Sequence, residues 1–173
     1  KEQYGEDSST FAIRVKGEFP TDSADSLISR HLVEAAVSRD VEPMTVAPIW
    51  GLDPARFGGD RTAIAKRQGN VLIEPIKSWQ GKDLMETVGS VLAEYEACQY
   101  LDRPSEICVD SIGIGAGVVD RLRELGLPAR GVNVAESPSL GNRYQRLRDE
   151  LWFKTREWFE ARDCKIPDQD ELI

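Results

Sequence analysis

Three short stretches rich in hydrophobic residues lie in the first half of the chain, and they predict β-strands at 47–53, 61–67 and 70–79. The first is an apolar run that ends in an acid, and the second alternates between hydrophobic and polar residues, as expected when side chains two residues apart share one face of a sheet. The segments between them, 58–60 and 68–70, both contain glycine, which favours hairpin connections. The pattern therefore predicts three consecutive antiparallel strands.

From residue 84 onward, apolar positions recur every three to four residues. This spacing predicts helices at 84–95, 114–125 and 144–159, and short apolar runs at 106–110 and 131–134 predict two strands between them. Three antiparallel strands followed by alternating helices and strands is the element order of the ribonuclease H fold. We therefore predict an α/β domain, ribonuclease H-like, with a mixed sheet and flanking helices.

The N-terminal part of the chain is more polar. A short alternating patch at 11–15 predicts one strand, apolar spacing over 28–37 predicts a short helix, and 39–44 has the composition of a linker. We therefore place the start of the compact domain near Thr45. Because the chain begins with Lys1 and not with methionine, we expect it to be a fragment of a longer protein.

The composition restricts the possible chemistry. A net charge of −8 argues against a protein that coats DNA, because basic side chains make most phosphate contacts. It is compatible with a nuclease, whose metal site must itself be acidic. The sequence contains one histidine, His31, so Ser-His-Asp or Cys-His catalysis would depend on that residue, which we interpret as an incidental helix residue.

The cysteines and the hydropathy indicate the compartment. Cys98, Cys108 and Cys164 are odd in number and lack a Cys-x-x-Cys spacing, which predicts buried thiols of a reducing compartment and not disulfides or a zinc site. No apolar run approaches the roughly 18 residues of a membrane span, so we predict no membrane partner.

Two acidic residues occupy equivalent places in the predicted sheet. Asp53 ends the first strand, Asp110 ends the fourth, and these strands are neighbours in a ribonuclease H sheet. Carboxylates held close together repel each other, but Mg²⁺ prefers oxygen ligands. Two ions roughly 3.5–4 Å apart can activate water and stabilise the leaving oxygen of a phosphodiester. We predict Asp53 and Asp110 as catalytic metal ligands; alternatively, Asp53 opens an Asp-Pro turn and Asp110 caps the following helix.

Other candidate features have weaker signals. Asp60 lies in a Gly-Gly-Asp turn and is a weaker candidate for a metal or DNA role. The glycines of 109–118 precede a helix and suggest a phosphate cradle, but their spacing matches neither the Rossmann nor the Walker pattern. We therefore interpret them as glycines that permit close packing of helix on strand.

The last predicted helix carries both basic and aromatic residues. Trp152, Trp158 and Phe159 are predicted to be core residues. Basic residues alternate with acidic ones, so we interpret them as a solvated helix face and not as a DNA-contacting one: Arg143, Arg146, Arg148, Lys154 and Arg156.

Several stretches of the chain resemble the large terminase subunits of bacteriophages. Residues 50–63, WGLDPARFGGDRTA, resemble the first acidic motif of that family, and 109–118, VDSIGIGAGV, resemble the second. Residues 142–153 are similar to the helix that follows. Residues 4–6 and 17–20 look like the connector that leaves the ATPase domain.

The resemblance implies a metal-dependent endonuclease with a ribonuclease H fold that uses two Mg²⁺ or Mn²⁺ ions to cut concatemeric viral DNA. It implies double-stranded viral DNA, the portal protein, the small terminase subunit and a covalently linked ATPase domain as partners. The implied location is the bacterial host cytoplasm, at the procapsid. Residues 1–44 would be the connector from an ATPase domain that is absent, since no GxxxxGK[ST] motif occurs, and 45–173 the nuclease domain, truncated at its C-terminus.

The sequence departs from the family in one respect. The family carries a third acid in a Ser-Pro-Asp-like context, and this chain stops at Ile173 without that motif. Asp168 and Asp170 are not assigned to that role, so weak or no cutting is expected of the fragment. Two alternatives stay open: a catalytically incomplete docking module of the packaging motor, and an actin-like or sugar-kinase-like phosphotransferase fragment. Pro54 and Ala55 stand where the phosphotransferases have a glycine.

Overall fold

A computed structural model describes residues 26–55 and 59–170. In chain order, these residues form α1 (Arg30–Ser38), β1 (Ile49–Asp53), β2 (Thr62–Gln68), β3 (Val71–Leu72), β4 (Lys77–Trp79), α2 (Leu84–Ala97), a 3-10 turn (Tyr100–Asp102), β5 (Glu106–Asp110), α3 (Gly115–Glu124), β6 (Ala129–Val132) and α4 (Leu147–Glu160). The strand predicted at 11–15 lies outside the described residues. The domain boundary near Thr45 stays a prediction.

The strands form one mixed sheet in the order β3-β2-β1-β5-β6, and β4 also pairs with β2. β1 runs antiparallel to β2 and parallel to β5, and β5 runs parallel to β6. The prediction of a mixed α/β sheet with flanking helices is therefore confirmed. This order places β1 and β5 side by side in the middle of the sheet.

The single strand predicted at 70–79 is wrong, because the structure divides it into β3 and β4. Leu72 pairs with Arg67 and Lys77 pairs with Ile64, so the four residues 73–76 lie opposite only the two residues 65–66. Pro75 has no backbone N–H to donate to the ladder, which favours a bulge at this point.

Local signals set the ends of the helices. α2 begins at a capping box: the Asp83 carboxylate accepts a hydrogen bond from the Glu86 amide at 2.8 Å, and the Glu86 carboxylate accepts one from the Asp83 amide at 2.9 Å. α3 ends before Gly126, whose φ of +80° suits glycine. α4 begins at Leu147, three residues later than predicted.

The main hydrophobic core lies between one face of the sheet and the helices α2 and α3. β1 and β5 each alternate between buried and more exposed positions, so Trp50, Leu52, Ile107 and Val109 all point into this core. Their apolar partners on the helices include Val88, Val91, Val118 and Leu122. Burial of this surface supplies the principal driving force for folding of the sheet.

A second, smaller core joins α1 to the end of α4 and to the C-terminal segment. Ala36 of α1 is buried with Phe159, Cys164 and Ile166, and Trp158 is packed against this cluster at partial burial. The prediction that Trp152 is a core residue is wrong, since its exposed fraction is 56%. The second core covers α4 only near its C-terminal end, so the Trp152 indole lies outside it.

The remaining sequence predictions concern the thiols and the membrane. All three cysteines are free, but only Cys164 is fully buried, while Cys98 and Cys108 are half-buried. Across residues 26–55 and 59–170, no helix has the length and apolar character needed to cross a bilayer.

Candidate metal centre

The structure brings Asp53 and Asp110 to the same edge of the sheet. β1 and β5 are parallel and in register, with Leu52 opposite Val109. Asp53 is the last residue of β1, and Asp110 is the last residue of β5. Both line one groove on the face of the sheet opposite the main core. The two predicted ligands are therefore neighbours, and their role as ligands stays a prediction.

The electrostatics of Asp53 reflect this proximity. Partial loss of hydration, then the charge of Asp110 and then that of Asp60 raise the pKa of Asp53 above its ordinary value of 3.8. Asp60 is thus near enough to act on Asp53, although its sequence signal was the weakest. A divalent cation would relieve the repulsion among these carboxylates.

One hydrogen bond orients Asp110, and the N-cap of α3 decides the alternative role that the sequence left open for this residue. Its Oδ1 accepts a hydrogen bond from the Ile112 amide at 3.0 Å, which forms a local turn. The N-cap of α3 is Ile114, which makes no side-chain cap. The alternative that Asp110 caps this helix is therefore wrong.

The glycines of 109–118 serve two purposes: Gly115 permits the close packing that the sequence predicted, whereas Gly113 permits a backbone turn. Gly113 has a φ of +66°, a region that favours glycine. A Cβ on Gly115 would overlap the backbone carbonyl of Asp110 and would lie 3.3 Å from Pro54 Cγ. Helix α3 can approach the end of β5 this closely only because residue 115 has no side chain.

We expect Gly115→Ala to destabilise the fold by about 1–3 kcal/mol, the usual cost of overpacking a tight site. The added methyl group must also push the Asp110 carbonyl, so we expect weaker Mn²⁺ binding. Chemical denaturation and calorimetric Mn²⁺ titration measure the two effects.

The matched control is Gly89→Ala, because nothing lies within 4 Å of a Cβ at that position. Gly89 lies within α2, so alanine there is expected to be neutral or to stabilise by about 0.5–1 kcal/mol. Equal stability of the two variants would contradict the close packing assigned to Gly115.

The groove beside the two acids was missed by sequence reasoning. It has a volume of about 500 Å³ and lies between the open face of the sheet and α4. Its wall is mostly apolar and comes from several elements, including Ala63, Ala65, Ile76, Val132, Leu147 and Leu151. The available signal was the run of small residues at the non-core positions of β1, β2 and β5.

A charged cluster lies on the same open face, away from the carboxyl ends of β1 and β5. Arg130 Nε donates to Glu106 at 2.6 Å, and its Nη2 is 3.3 Å from Cys108 Sγ. Burial, and then the bond to Glu106, raise the pKa of Cys108 above its ordinary value. This thiol therefore stays protonated at neutral pH and is not an activated nucleophile.

The described residues contain no group of three or more histidine, cysteine, aspartate or glutamate side chains placed to hold one metal ion. Asp168 and Asp170 flank Gln169, whose side chain accepts a hydrogen bond from the Ile76 amide at 2.9 Å and donates one to the Ile76 carbonyl at 3.1 Å. These bonds fasten the C-terminal segment beside β4. The pair Asp53–Asp110 thus forms the centre of the site that the described residues provide.

The fold is shared with nuclease domains of phage large terminase subunits. A mutant nuclease domain of the large terminase subunit gp2 of bacterial virus Sf6, with manganese and beta-thujaplicinol, superposes with a TM-score of 0.64 and 19% identity over 85% of this chain and 77% of that one. The large terminase nuclease from the thermophilic phage G20c, with bound magnesium, superposes with a TM-score of 0.60 and 13% identity over 86% of this chain and 77% of that one.

A longer protein, the large terminase from the thermophilic bacteriophage D6E, superposes with a TM-score of 0.55 and 10% identity over 78% of this chain and 32% of that one. No protein-family model and no curated protein matches the sequence. The chain therefore has the ribonuclease H-like fold of terminase nuclease domains, which confirms the fold expected from the order of its elements. The motif resemblance and the similarity of the folds point to the same group of proteins.

Proposed function

We propose that this chain is the metal-dependent DNA endonuclease domain of a viral DNA-packaging motor. The observation that carries the proposal is the meeting of Asp53 and Asp110 at the ends of two parallel strands, in the fold of phage terminase nucleases. The reaction is hydrolysis of a phosphodiester of concatemeric phage DNA with two divalent ions.

The residues present fit a divalent cation. Carboxylate oxygens are the donors that Mg²⁺ and Mn²⁺ prefer. The pKa of Asp53 is raised first by lost hydration and then by repulsion from the neighbouring carboxylates, and a bound cation would relieve that repulsion. When bound, the ions supply an activated water and charge stabilisation for the leaving oxygen. Asp53 and Asp110 would hold the ions. The Ile112 amide orients Asp110, and Asp60 adds negative charge beside the pair.

The partners and location follow from the same proposal. The substrate is double-stranded viral DNA, and the portal protein, the small terminase subunit and a covalently linked ATPase domain are the packaging partners. The place of action is the cytoplasm of the bacterial host, at the procapsid. The fold match covers only 32% of the length of the D6E large terminase, which supports the proposal that this chain is a nuclease unit within a larger protein.

One observation favours a second candidate. Within residues 26–55 and 59–170, no third acid completes the pair into a three-ligand cluster. A catalytically incomplete docking module of the packaging motor would need no such cluster. No feature of the described residues favours the phosphotransferase alternative.

Calorimetric titration of Mn²⁺ into the chain tests the proposed function. We expect binding by the unaltered chain and its loss in Asp53→Asn/Asp110→Asn, because both removed groups are charged oxygen donors. Mn²⁺ at 100 times its dissociation constant should also stabilise the unaltered chain by about 2.7 kcal/mol.

The matched control is Asp102→Asn/Asp120→Asn, which removes the same charge at exposed positions outside the groove. Control variants that bind as the unaltered chain does would locate the ion at the sheet edge. Equal binding by the Asp53/Asp110 variant, or no binding by the unaltered chain, would contradict the metal centre.

A further inference from the structure

Three exposed arginines surround the start of α4, and we call Arg143, Arg146 and Arg148 the basic wall. All three side chains are exposed. They belong to the loop that leaves β6 and to the first turn of the helix. Sequence reasoning assigned them to a solvated helix face together with the rest of the basic residues.

Backbone contacts place the basic wall at the edge of the sheet that carries the acids. Val132 of β6 pairs with Asp110. Two residues further on, the carbonyl of Val134 accepts a hydrogen bond from the Arg148 amide at 3.0 Å. Leu147, between the last two arginines, lines the same groove as Asp53 and Asp110. The segment that carries the basic wall therefore runs along the groove that contains the candidate metal centre.

The two acidic side chains at the start of α4 bind the loop and not the guanidinium groups of the basic wall. Glu150 is only 4% exposed and accepts hydrogen bonds from the Ser139 amide at 2.7 Å and from the Ser139 hydroxyl. The Asp149 carboxylate accepts a hydrogen bond from the Arg146 amide at 3.1 Å. Both acids keep their charge, but their oxygens bind amide and hydroxyl donors of the loop and form no salt bridge with the three arginines.

The salt bridges of this region leave the charge of the basic wall largely unpaired. Among the described residues, Arg146 and Arg148 make no salt bridge, and Arg143 meets only Glu157, at 3.8 Å between exposed side chains. By contrast, Arg156 further along α4 pairs with Glu160 at 2.8 Å. An exposed pair at 3.8 Å is worth little in water, so the charge of all three arginines remains available to an anion.

Ring contacts restrain the segment that carries the arginines. The rings of Tyr144 and Phe153 lie 5.4 Å apart, and the Arg143 guanidinium lies 5.5 Å from the Tyr144 ring centroid. Together with the Glu150 bonds to Ser139, these contacts tie the loop to α4. The basic wall is therefore presented by a segment that is fastened at several points.

We propose that the basic wall binds the phosphate backbone of double-stranded DNA beside the Asp53–Asp110 pair. The inference rests on the proposed function and names the surface that positions its substrate. A chain of charge −8 with acids at its centre repels DNA, so a local cationic surface is needed to hold the phosphates. Arg143, Arg146 and Arg148 are positioning residues that touch the DNA backbone and carry no sequence preference.

Fluorescence anisotropy of a labelled 30-base-pair duplex, measured in EDTA so that no cutting occurs, tests the proposal. In about 0.1 M salt we expect Arg146→Gln/Arg148→Gln to weaken binding roughly tenfold per arginine. The slope of log affinity against log salt should become shallower by about 0.9 for each arginine removed. The separate variant Arg143→Gln should give half of the slope change.

The matched control is Arg121→Gln/Arg156→Gln, which removes the same charge from two arginines that form helix-surface ion pairs outside the groove. We expect the control to keep the salt slope of the unaltered chain. An equal loss in the control, an unchanged slope in the basic-wall variant, or no DNA binding by the unaltered chain would each overturn the proposal.

The same variants distinguish this proposal from the proposed function. Suppose that the unaltered chain binds Mn²⁺ and that Arg146→Gln/Arg148→Gln does not change its DNA affinity. This result would overturn the DNA-binding role of the basic wall and would leave the proposed metal centre intact. If Arg146→Gln/Arg148→Gln lost binding to polyglutamate but bound DNA as the unaltered chain does, the DNA-binding role of the basic wall would be overturned in favour of an acidic protein partner.

Discussion

Asparagine at position 53 or 110 is expected to reduce Mn²⁺-dependent cutting of DNA by roughly a hundredfold to a thousandfold, the usual loss when one group that stabilises transition-state charge is removed. Each substitution keeps the size of the side chain and removes a charged oxygen donor. Conversion of supercoiled plasmid to nicked and linear forms measures the effect, in this chain or in a longer protein that contains it.

Stability provides the internal check on this prediction, because loss of cutting alone could reflect unfolding. The pKa of Asp53 is raised in the folded chain, so the folded state binds its proton more tightly than the unfolded state does. The ionised carboxylate therefore costs stability, and this cost appears as the pH rises above the ordinary value of 3.8. Asp53→Asn should raise the free energy of unfolding at pH 7 without metal, and the gain should vanish in acid.

A variant that cuts less and is more stable without metal would separate function from folding. The control Asp102→Asn/Asp120→Asn should change neither property appreciably. Undiminished cutting by Asp53→Asn would remove the basis for the nuclease assignment, and a metal-free variant less stable than the unaltered chain would show that Asp53 has a structural role.

Lys66→Ala is expected to destabilise the fold by about 3 kcal/mol, the low end of the cost of removing one partner of a buried ion pair. The Lys66 side chain is only 6% exposed, and its Nζ lies 2.6 Å from Glu94 and 2.9 Å from Glu74. It also lies 4.4 Å from the ring centroid of Trp50. The low end applies because Lys77 still pairs with both glutamates.

The matched control is Lys77→Ala, which removes the second lysine bound to the same carboxylates. Lys77 also binds Glu94 at 2.6 Å, but its side chain is 44% exposed, so we expect a loss of about 0–1 kcal/mol. Thermal unfolding should show a fall of about 6–12 °C for Lys66→Ala, at 2–4 °C per kcal/mol for a chain of this size. Equal losses in the two variants would contradict the dependence on burial.

The pH dependence of the Lys66 effect follows from Glu94. Partial burial raises the pKa of Glu94, but the hydrogen bonds and charges of Lys66 and Lys77 outweigh it and lower this pKa below the ordinary 4.5. Because the pKa of Glu94 is lower in the folded state than in the unfolded state, its ionised form stabilises the fold. This stabilisation is fully present above pH 4.5 and is lost as the pH falls through the pKa of the folded state. The difference between the unaltered chain and Lys66→Ala should therefore shrink in acid.

The sequence by itself determined the class of the fold and the position of its two acids. Short apolar runs defined β1 and β5, alternation with period two defined β2, helical spacing defined α2 and α3, and the order of these elements allowed few topologies. Asp53 and Asp110 were visible because each ends an apolar run. These signals are local, since each depends on which face of one element is buried.

Only the tertiary structure decided the features that depend on partners distant in the chain. The division of β3 from β4 depends on pairing with β2, and the exposure of Trp152 depends on how far the second core extends along α4. Lys66 looks like a surface residue in the sequence, yet it is buried because Glu74 and Glu94 come from two other segments to neutralise it. The groove and the basic wall likewise depend on where α4 crosses the open face of the sheet, which no local pattern of residues specifies.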